Sequence, residues 1–292
     1  MWLKKAIIRI KVGLEKLIPD SVYLKLFYKR MTGKKLNLKN PNTISEKLQW
    51  MKLHNRNPLM TVMVDKYEGK KYVEKIIGSK YIIKTIGIYN SFDDINFSSL
   101  PNQFVIKCTH DNKSTLVCKD KYSFDFKFAK QFINKHLRTN FYWWGREWPY
   151  KNVKPRIIIE EYIQNPDGSN IVDYKFYCYG GKPRYFMYSL GEVNHNVRNH
   201  KFSMDGRSID YLFKKKPTVP LTDIILPSNL DEMITIVEKL CQSHQHIRID
   251  LYNVSGRIFF GEQTFYSGSG IINIDNKDYA QSLSNLIDLS KI

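Results

Sequence analysis

Residues 246–265, HIRIDLYNVSGRIFFGEQTF, alternate so regularly that a β-hairpin is the structure they fit. Ile247, Ile249 and Leu251 fall on one side of the first strand and Arg248 and Asp250 on the other, because successive strand side chains point to opposite faces. Asn253-Val254-Ser255-Gly256 reads as the turn. Glu262 and Thr264 share a face of the returning strand, so antiparallel pairing can set Asp250 against Glu262 beside an arginine. Hard carboxylate oxygens with substrate phosphates are a usual Mg²⁺ environment. A guanidinium suits the charge of a transferring phosphoryl group. A surface Arg–Asp–Glu network satisfies the same residues, and this segment alone does not separate the two.

The rest of the chain reads as α+β with antiparallel sheets, not as a βαβ series. Helices are expected over 21–31, 45–53, 64–77, 126–137 and 230–242. Strands are expected over 81–88, 104–108, 115–118, 156–163, 174–179 and 184–190. Neither G-x-G-x-x-G nor a Walker A motif occurs, which removes the commonest nucleotide folds.

The formal charge of +18 invites a nucleic-acid partner, but residues 1–85 hold 20 Lys/Arg against 6 Asp/Glu, which is nearly all of the excess. A basic N-terminal module on a near-neutral body points to an anionic partner for the module only. With 42% hydrophobic and 14% aromatic residues the chain can bury a core and is not disordered. Over 2–18, Leu3, Ile7, Ile10, Leu14 and Leu17 line one helical face, flanked by Lys4, Lys5, Arg9, Lys11 and Lys16. Such a helix packs on the body or lies on an anionic membrane surface. No apolar run reaches the length needed to span a bilayer, and the start is not a secretory signal. Cys108, Cys118, Cys178 and Cys241 lack zinc-type spacing and read as reduced core thiols of a cytosolic protein.

Other segments add polar residues that need partners. Lys107 lies within the apolar strand FVIKC, where an ammonium requires an anion, and a polyphosphate would serve. The following loop THDNKST, with Asn112, Lys113 and Ser114, is placed to fold over phosphates. In IIIEEYI, an apolar strand ends in Glu160, Glu161, Tyr162 and Ile163, a segment able to hold an adenine edge. Asp173 and Lys175 share a face of DYKF. FYWWGREWPYKN (141–152) is a candidate acceptor site through Trp144 and Arg146, or else a loop folded between lobes. Arg198 and His200, with His195, read as a polar loop at the substrate, and Ser267 and Gly268 of YSGSG as exposed amides for a substrate carboxylate or a simple turn.

The ordered set DKY (65–67), FVIKC (104–108), EEYI (160–163), DYKF (173–176), RIDLY (248–252) and GEQTF (261–265) resembles the ATP-grasp superfamily. LNLKNPNTISEKLQWMK, WWGREWPYKNVKPRIIIEEYI and GEQTFYSGSG resemble its teichuronopeptide-biosynthesis, TupA-like branch. The resemblance spans about residues 20–270. It implies an ATP-grasp fold, two α+β lobes sandwiching ATP. A basic helical region (1–60) would precede a first portion with phosphate loop and hinge (61–165) and a C-terminal lobe with the metal site (166–292).

By the same resemblance Lys66 and Lys107 bind ATP phosphates, and Glu160, Glu161, Tyr162 and Ile163 form the adenine hinge. Lys175 is a phosphate or substrate contact and Asp173 a ribose or structural partner. Arg248 stabilises an acyl phosphate, and Asp250 and Glu262 hold Mg²⁺. Two departures stand out: Thr264 replaces the usual metal-binding Asn, and the phosphate loop has no glycine.

The implied activity is an ADP-forming carboxylate–amine ligase that joins an amino acid or other amine to a uronate-containing sugar or glycan, in bacterial surface-polysaccharide assembly. Its place would be the cytoplasm, with peripheral contact to the inner membrane face through residues 2–18. A membrane-associated glycosyltransferase and a nucleic-acid-binding protein are the rival readings.

Overall fold

The structure is a computed structural model that describes residues 16–190, 198–213 and 221–292. Strands β1 (Thr85–Tyr89), β2 (Phe104–Cys108), β3 (Leu116–Cys118) and β4 (Ile157–Glu161) form one sheet in the order β1-β4-β2-β3. A second sheet has the order β7-β6-β5-β8-β9, from β5 (Val172–Tyr179), β6 (Lys182–Leu190), β7 (Arg198–Ser203), β8 (His246–Val254) and β9 (Arg257–Thr264). Both are antiparallel throughout. The helices are α1 (Asp20–Thr32), α2 (Ile44–His54), α3 (Leu59–Val64), α4 (Glu68–Ile77), α5 (Phe126–Leu137), α6 (Leu230–Cys241) and α7 (Lys277–Asn285).

Strand alternation decides which face of each sheet is covered. Phe104, Ile106, Cys108, Ile157 and Ile159 bury against Ala129 and Ile133 of α5. Tyr174, Phe176, Ile247, Ile249 and Leu251 bury against Met233, Ile236, Val237 and Leu240 of α6, in a core that also takes in α2 and α3 through Leu48, Met51, Met60 and Met63. The alternate positions, Lys107 and Glu160 on one sheet and Asp173, Lys175, Arg248 and Asp250 on the other, face away from these helices. An isolated bridge from Ile82 to Phe260 ties the segment leading into β1 to strand β9 of the second sheet.

Four expectations change. The helix read over 64–77 is broken between α3 and α4, because Asp65 Oδ1 accepts the backbone N–H groups of Tyr67 (2.8 Å) and Glu68 (3.1 Å). Gly69 permits the close return, since a Cβ there would stand 2.6 Å from the Met63 carbonyl oxygen. The strand read over 81–88 begins later, at Thr85, after a 3₁₀ turn at Ser79–Tyr81. Arg198 and His200 lie in strand β7, not in a loop. The β8–β9 turn is tighter than four residues: Ser255 and Gly256 alone bridge the strands, at φ 50° and 84°. The helix read over 2–18 and the residues around His195 lie outside the described residues, apart from 16–18. All four cysteines are buried and unbridged. Among the described residues no helix is long and apolar enough to cross a membrane.

His246 opens β8 in full burial, with Nδ1 3.1 Å from the Cys178 carbonyl oxygen. Burial pushes its ionisation down to about 4. The unfolded chain therefore binds the extra proton between about pH 6.5 and 4, and stability is lost as pH falls through that window. This histidine alone costs about 3 kcal/mol by pH 4. His246→Phe should flatten the acid limb of stability between pH 6.5 and 4.5, measured by urea unfolding; an unchanged limb rejects the assignment.

Candidate active site

The second sheet arranges its polar residues in cross-strand rows. Lys175 on β5 stands opposite Asp250 on β8, and Asp250 opposite Glu262 on β9. The adjoining row runs Tyr177, Arg248, Thr264. Asp250 and Glu262 do stand opposite each other, but through a β-bulge between Asp250 and Leu251 that shifts the register set by the turn by one residue. Arg248 grips Asp250 with Nε on Oδ1 and Nη2 on Oδ2, both at 2.6 Å, and reaches Glu262 Oε1 at 2.7 Å. Lys175 Nζ donates to Asp250 Oδ2 at 3.3 Å and also pairs with Asp173. Burial opposes ionisation of Asp250, but Arg248 and Lys175 outweigh it and hold the carboxyl below the usual range. Asp173 goes the other way: burial, then the charge of Asp250, raise it to about 7 against the pull of Lys175. This is a buried, hydrogen-bonded cluster and not a solvated surface network, since Arg248 is 14% and Asp250 2% exposed at the side chain.

Asp250 and Glu262 are oxygen donors only, and among the described residues no group of three or more His, Cys, Asp or Glu converges. That set fits Mg²⁺, which binds through one or two carboxylates and takes phosphates and water for the rest. Asp250 and Glu262 would hold the ion, and when bound it neutralises phosphate charge. Thr264 Oγ1 donates to Glu262 Oε1 at 3.4 Å, so it stands beside the pair as an orienting hydroxyl.

Across the cleft, the break between α3 and α4 presents Lys66. Arg156 holds that break in place, with Nη2 on Asp65 Oδ2 at 2.9 Å and Nη1 on Glu68 Oε1 at 3.1 Å. Lys66 Nζ donates to the carbonyl oxygen of Asp111, and Lys66 lies within electrostatic reach of Glu262, Lys107 and Asp111. Burial lowers its ionisation. Lys66, Lys70, Tyr150, Gly261 and Glu262 line one small cavity, so the α3–α4 break and strand β9 of the second sheet meet there. Lys107 on β2 pairs with Glu160 Oε2 at 2.5 Å, and Lys70 on α4 pairs with the same carboxylate.

The glycine-free loop is closed by side chains instead of glycine backbone. Ser114 Oγ accepts the Cys108 N–H at 2.9 Å and donates to Asp111, whose other oxygen pairs with His136. Ser114 is thus buried as a clasp, which corrects its reading as a phosphate contact. Asn112 and Lys113 form the exposed tip, with Lys113 at φ 72°.

At the hinge, Glu160 is also corrected. It is 2% exposed and occupied as the counter-ion of two lysines, so its carboxylate is not offered to an adenine edge. Glu161 is exposed and Tyr162 half-buried. Ile163 packs with Ile171 and Tyr252 against Ile83, Val254 and Phe259, an apolar wall beside the hinge.

The substrate readings fare unevenly. Arg146 is enclosed between Tyr23 and Trp143, at 4.2 and 4.6 Å from the ring centroids, and pairs with Asp20 at 3.0 Å. His200 is buried with Nδ1 2.7 Å from Asp210 Oδ2. Neither is available to an acceptor, because each is the buried partner of a carboxylate. Trp144 is 68% exposed on the outer surface. Arg198 occupies β7 opposite Leu190. In the YSGSG turn, carbonyls accept side chains, with Gln49 Nε2 donating to Ser269 and Gly270 and Lys52 Nζ to Ser269 and to Gly145 outside the turn, while the Gly270 amide donates to the Tyr266 carbonyl at 3.1 Å. Ser267 is buried and Gly268 exposed.

Two unanticipated residues line this region. Glu147, 3% exposed, sits within electrostatic reach of Lys52, Arg248 and Glu262, and burial raises its ionisation. Burial brings Lys52 down to about 8 against the charge of Glu147. A signal existed for Lys52, which lies four residues after Leu48 and so on the apolar face of α2. For Glu147 the signal was its charge within the aromatic loop FYWWGREWPYKN, but its partners depend on where that loop folds.

A profile of the TupA-like ATP-grasp family matches residues 46–288. Comparison with curated proteins gives no match. Among solved structures, D-alanine–D-alanine ligase from Helicobacter pylori aligns at 13% identity over 85% of this chain and 70% of its own, with a TM-score of 0.48. An L-amino acid ligase from Bacillus licheniformis aligns at 12% over 85% and 57%, TM-score 0.49. The ATP-grasp ligase PsnB, complexed with a minimal precursor, Mg and ADP, aligns at 9% over 84% and 67%, TM-score 0.41. With the profile spanning most of the chain, the protein belongs to the TupA-like ATP-grasp family and is an ADP-forming ligase that uses ATP and Mg²⁺.

Proposed function

We propose that this ligase joins a uronic-acid carboxyl to an amino acid or another amine in the assembly of bacterial surface polysaccharide. The observation that carries the chemistry is the approach of Lys66 to Glu262, within electrostatic reach of it, where Glu262 joins the Arg248–Asp250–Lys175 cluster of the second sheet. The uronate rests on the resemblance to the teichuronopeptide branch.

A carboxylate resists attack by an amine because its charge repels the nucleophile and oxide is a poor leaving group. Its oxygen instead attacks the γ-phosphorus of ATP, the bond to the β-phosphate oxygen breaks, and ADP leaves. The amine nitrogen then attacks the acyl carbon, phosphate departs, and the nitrogen loses its extra proton. Lys66, Lys107 and Lys175 orient phosphate oxygens, and Arg248 faces the charge that builds on the transferring group. The β8–β9 hairpin holds Arg248 rigid through three hydrogen bonds, so little reorganisation is needed during reaction.

The test is mass spectrometry of products from the full chain given ATP, Mg²⁺, nucleotide-linked and free uronates and an amino-acid mixture. An amide with stoichiometric ADP and phosphate is expected. AMP release, or nucleotide-sugar turnover without ATP, rejects the reading, the latter in favour of glycosyl transfer.

A further inference from the structure

We infer that the outward face of α1, together with Trp144, is a docking surface for an anionic lipid bilayer. The inner face of the helix is committed to the protein: Leu24 and Tyr28 bury with Leu36. Val22 and Leu26, one turn apart on the opposite face, are 45% and 58% exposed, and Leu17 just before the helix is 80% exposed. A helix that merely covers a globular body carries polar residues there. Here the apolar residues are flanked by exposed Lys25, Lys29 and Arg30. From Ser21 to Ser45 the chain has six Lys/Arg and no Asp or Glu.

That charge selects an anionic partner. The interleaved apolar side chains select a lipid interface over a soluble polyanion, because they gain only where they leave water. Trp144 is attached to the same unit, since the Tyr23 hydroxyl donates to its carbonyl oxygen at 2.7 Å. An exposed tryptophan beside a basic amphipathic helix suits the headgroup layer.

The surface is also joined to the active site. Asp20 at the start of α1 accepts Arg146 and the Tyr142 hydroxyl, and the next residue in that loop is Glu147, which faces Arg248. Docking through α1 would therefore hold the cleft at the membrane, where a lipid-linked acceptor is presented. The inference is independent of residues 2–15 and of the uronate reading.

Co-sedimentation of the full chain with vesicles tests it, using phosphatidylcholine alone and phosphatidylcholine mixed with phosphatidylglycerol. Binding is expected only to the anionic vesicles, weakening with salt. Lys25→Gln/Lys29→Gln/Arg30→Gln should weaken it about a hundredfold, at about fivefold per charge. Val22→Ser/Leu26→Ser should weaken it about tenfold. Trp144→Phe should remove most of the blue shift of tryptophan emission on binding. Thermal midpoints matching the parent establish that the variants fold. Three results overturn the inference: no binding to phosphatidylglycerol vesicles, binding equal in parent and both multiple variants, or a charge-only dependence with polyglucuronate competing fully. Self-association abolished by Val22→Ser/Leu26→Ser also overturns it, by assigning the face to a second copy.

Discussion

Asp250→Asn should lower amide formation by about 10²–10³-fold while the chain stays folded. Asp250 holds both arms of Arg248 and also Lys175, so one carboxylate positions two of the cations that the proposed mechanism sets at the phosphate. Asn keeps the shape but loses the charge and one acceptor. Arg248 can then swing wholly onto Glu262, which removes it from the row it shares with Tyr177 and Thr264. The measurement is single-turnover ADP release with saturating ATP, alongside thermal unfolding. Loss of kcat with ATP affinity reduced little places Asp250 in the phosphoryl-transfer step. A fall in unfolding temperature with kcat intact would make it a structural counter-ion with no part in that step. Glu262→Gln should act in the same direction and more weakly, since that side chain is 37% exposed and makes one bond to Arg248 where Asp250 makes two.

The second large effect is on stability. Glu160→Gln should destabilise the protein by about 3 kcal/mol, because it leaves the buried ammonium of Lys70 and the half-buried one of Lys107 without their anion. At this chain length that lowers the thermal midpoint by about 5 °C. Burial alone would raise the Glu160 carboxyl, yet Lys107 and Lys70 hold it below the usual range, so its charge is present throughout the neutral region. ATP should rescue the variant more than the parent. Phosphates supply Lys107 with a replacement anion, and binding to the folded state alone adds stability by mass action. An unchanged midpoint, or equal ATP-induced shifts in both proteins, rejects the idea that Glu160 serves as a counter-ion hub.

Much of the site was legible because strand alternation is a local property. Once HIRIDLYNVSGRIFFGEQTF is a hairpin, Asp250 and Glu262 come close, but the turn alone would set Asp250 opposite Gly261, and a β-bulge next to Asp250 moves it to Glu262. The same logic put Lys107 on a strand among apolar neighbours and Asp173 and Lys175 on one face, whereas the pairing of Lys175 with Asp250 comes from the non-local β5–β8 ladder. Where local pattern and local hydrogen bonding compete, the pattern misleads. The helical spacing over 64–77 continues through Asp65, but an aspartate capping the next helix breaks it, and that break is what presents Lys66. The polar stretch before Ser203 carried no apolar alternation, yet it pairs as β7 because β6 offers an open edge.

Residue pattern and spacing determined the α+β class, since each element depends on neighbours a few positions away, and the resemblance of six ordered motifs between residues 65 and 265 supplied the family and the candidate cations and carboxylates. Which carboxylate serves which cation was decided only by the tertiary fold. Glu160 is a counter-ion, Arg146 and His200 are packed beneath carboxylates, and Glu147 with Lys52 lies beside Arg248. These pairings join residues far apart in the chain, and burial makes an unpaired charge too costly to tolerate. Partner choice inside a low-dielectric cleft is therefore a property of the folded assembly, which no window of sequence contains.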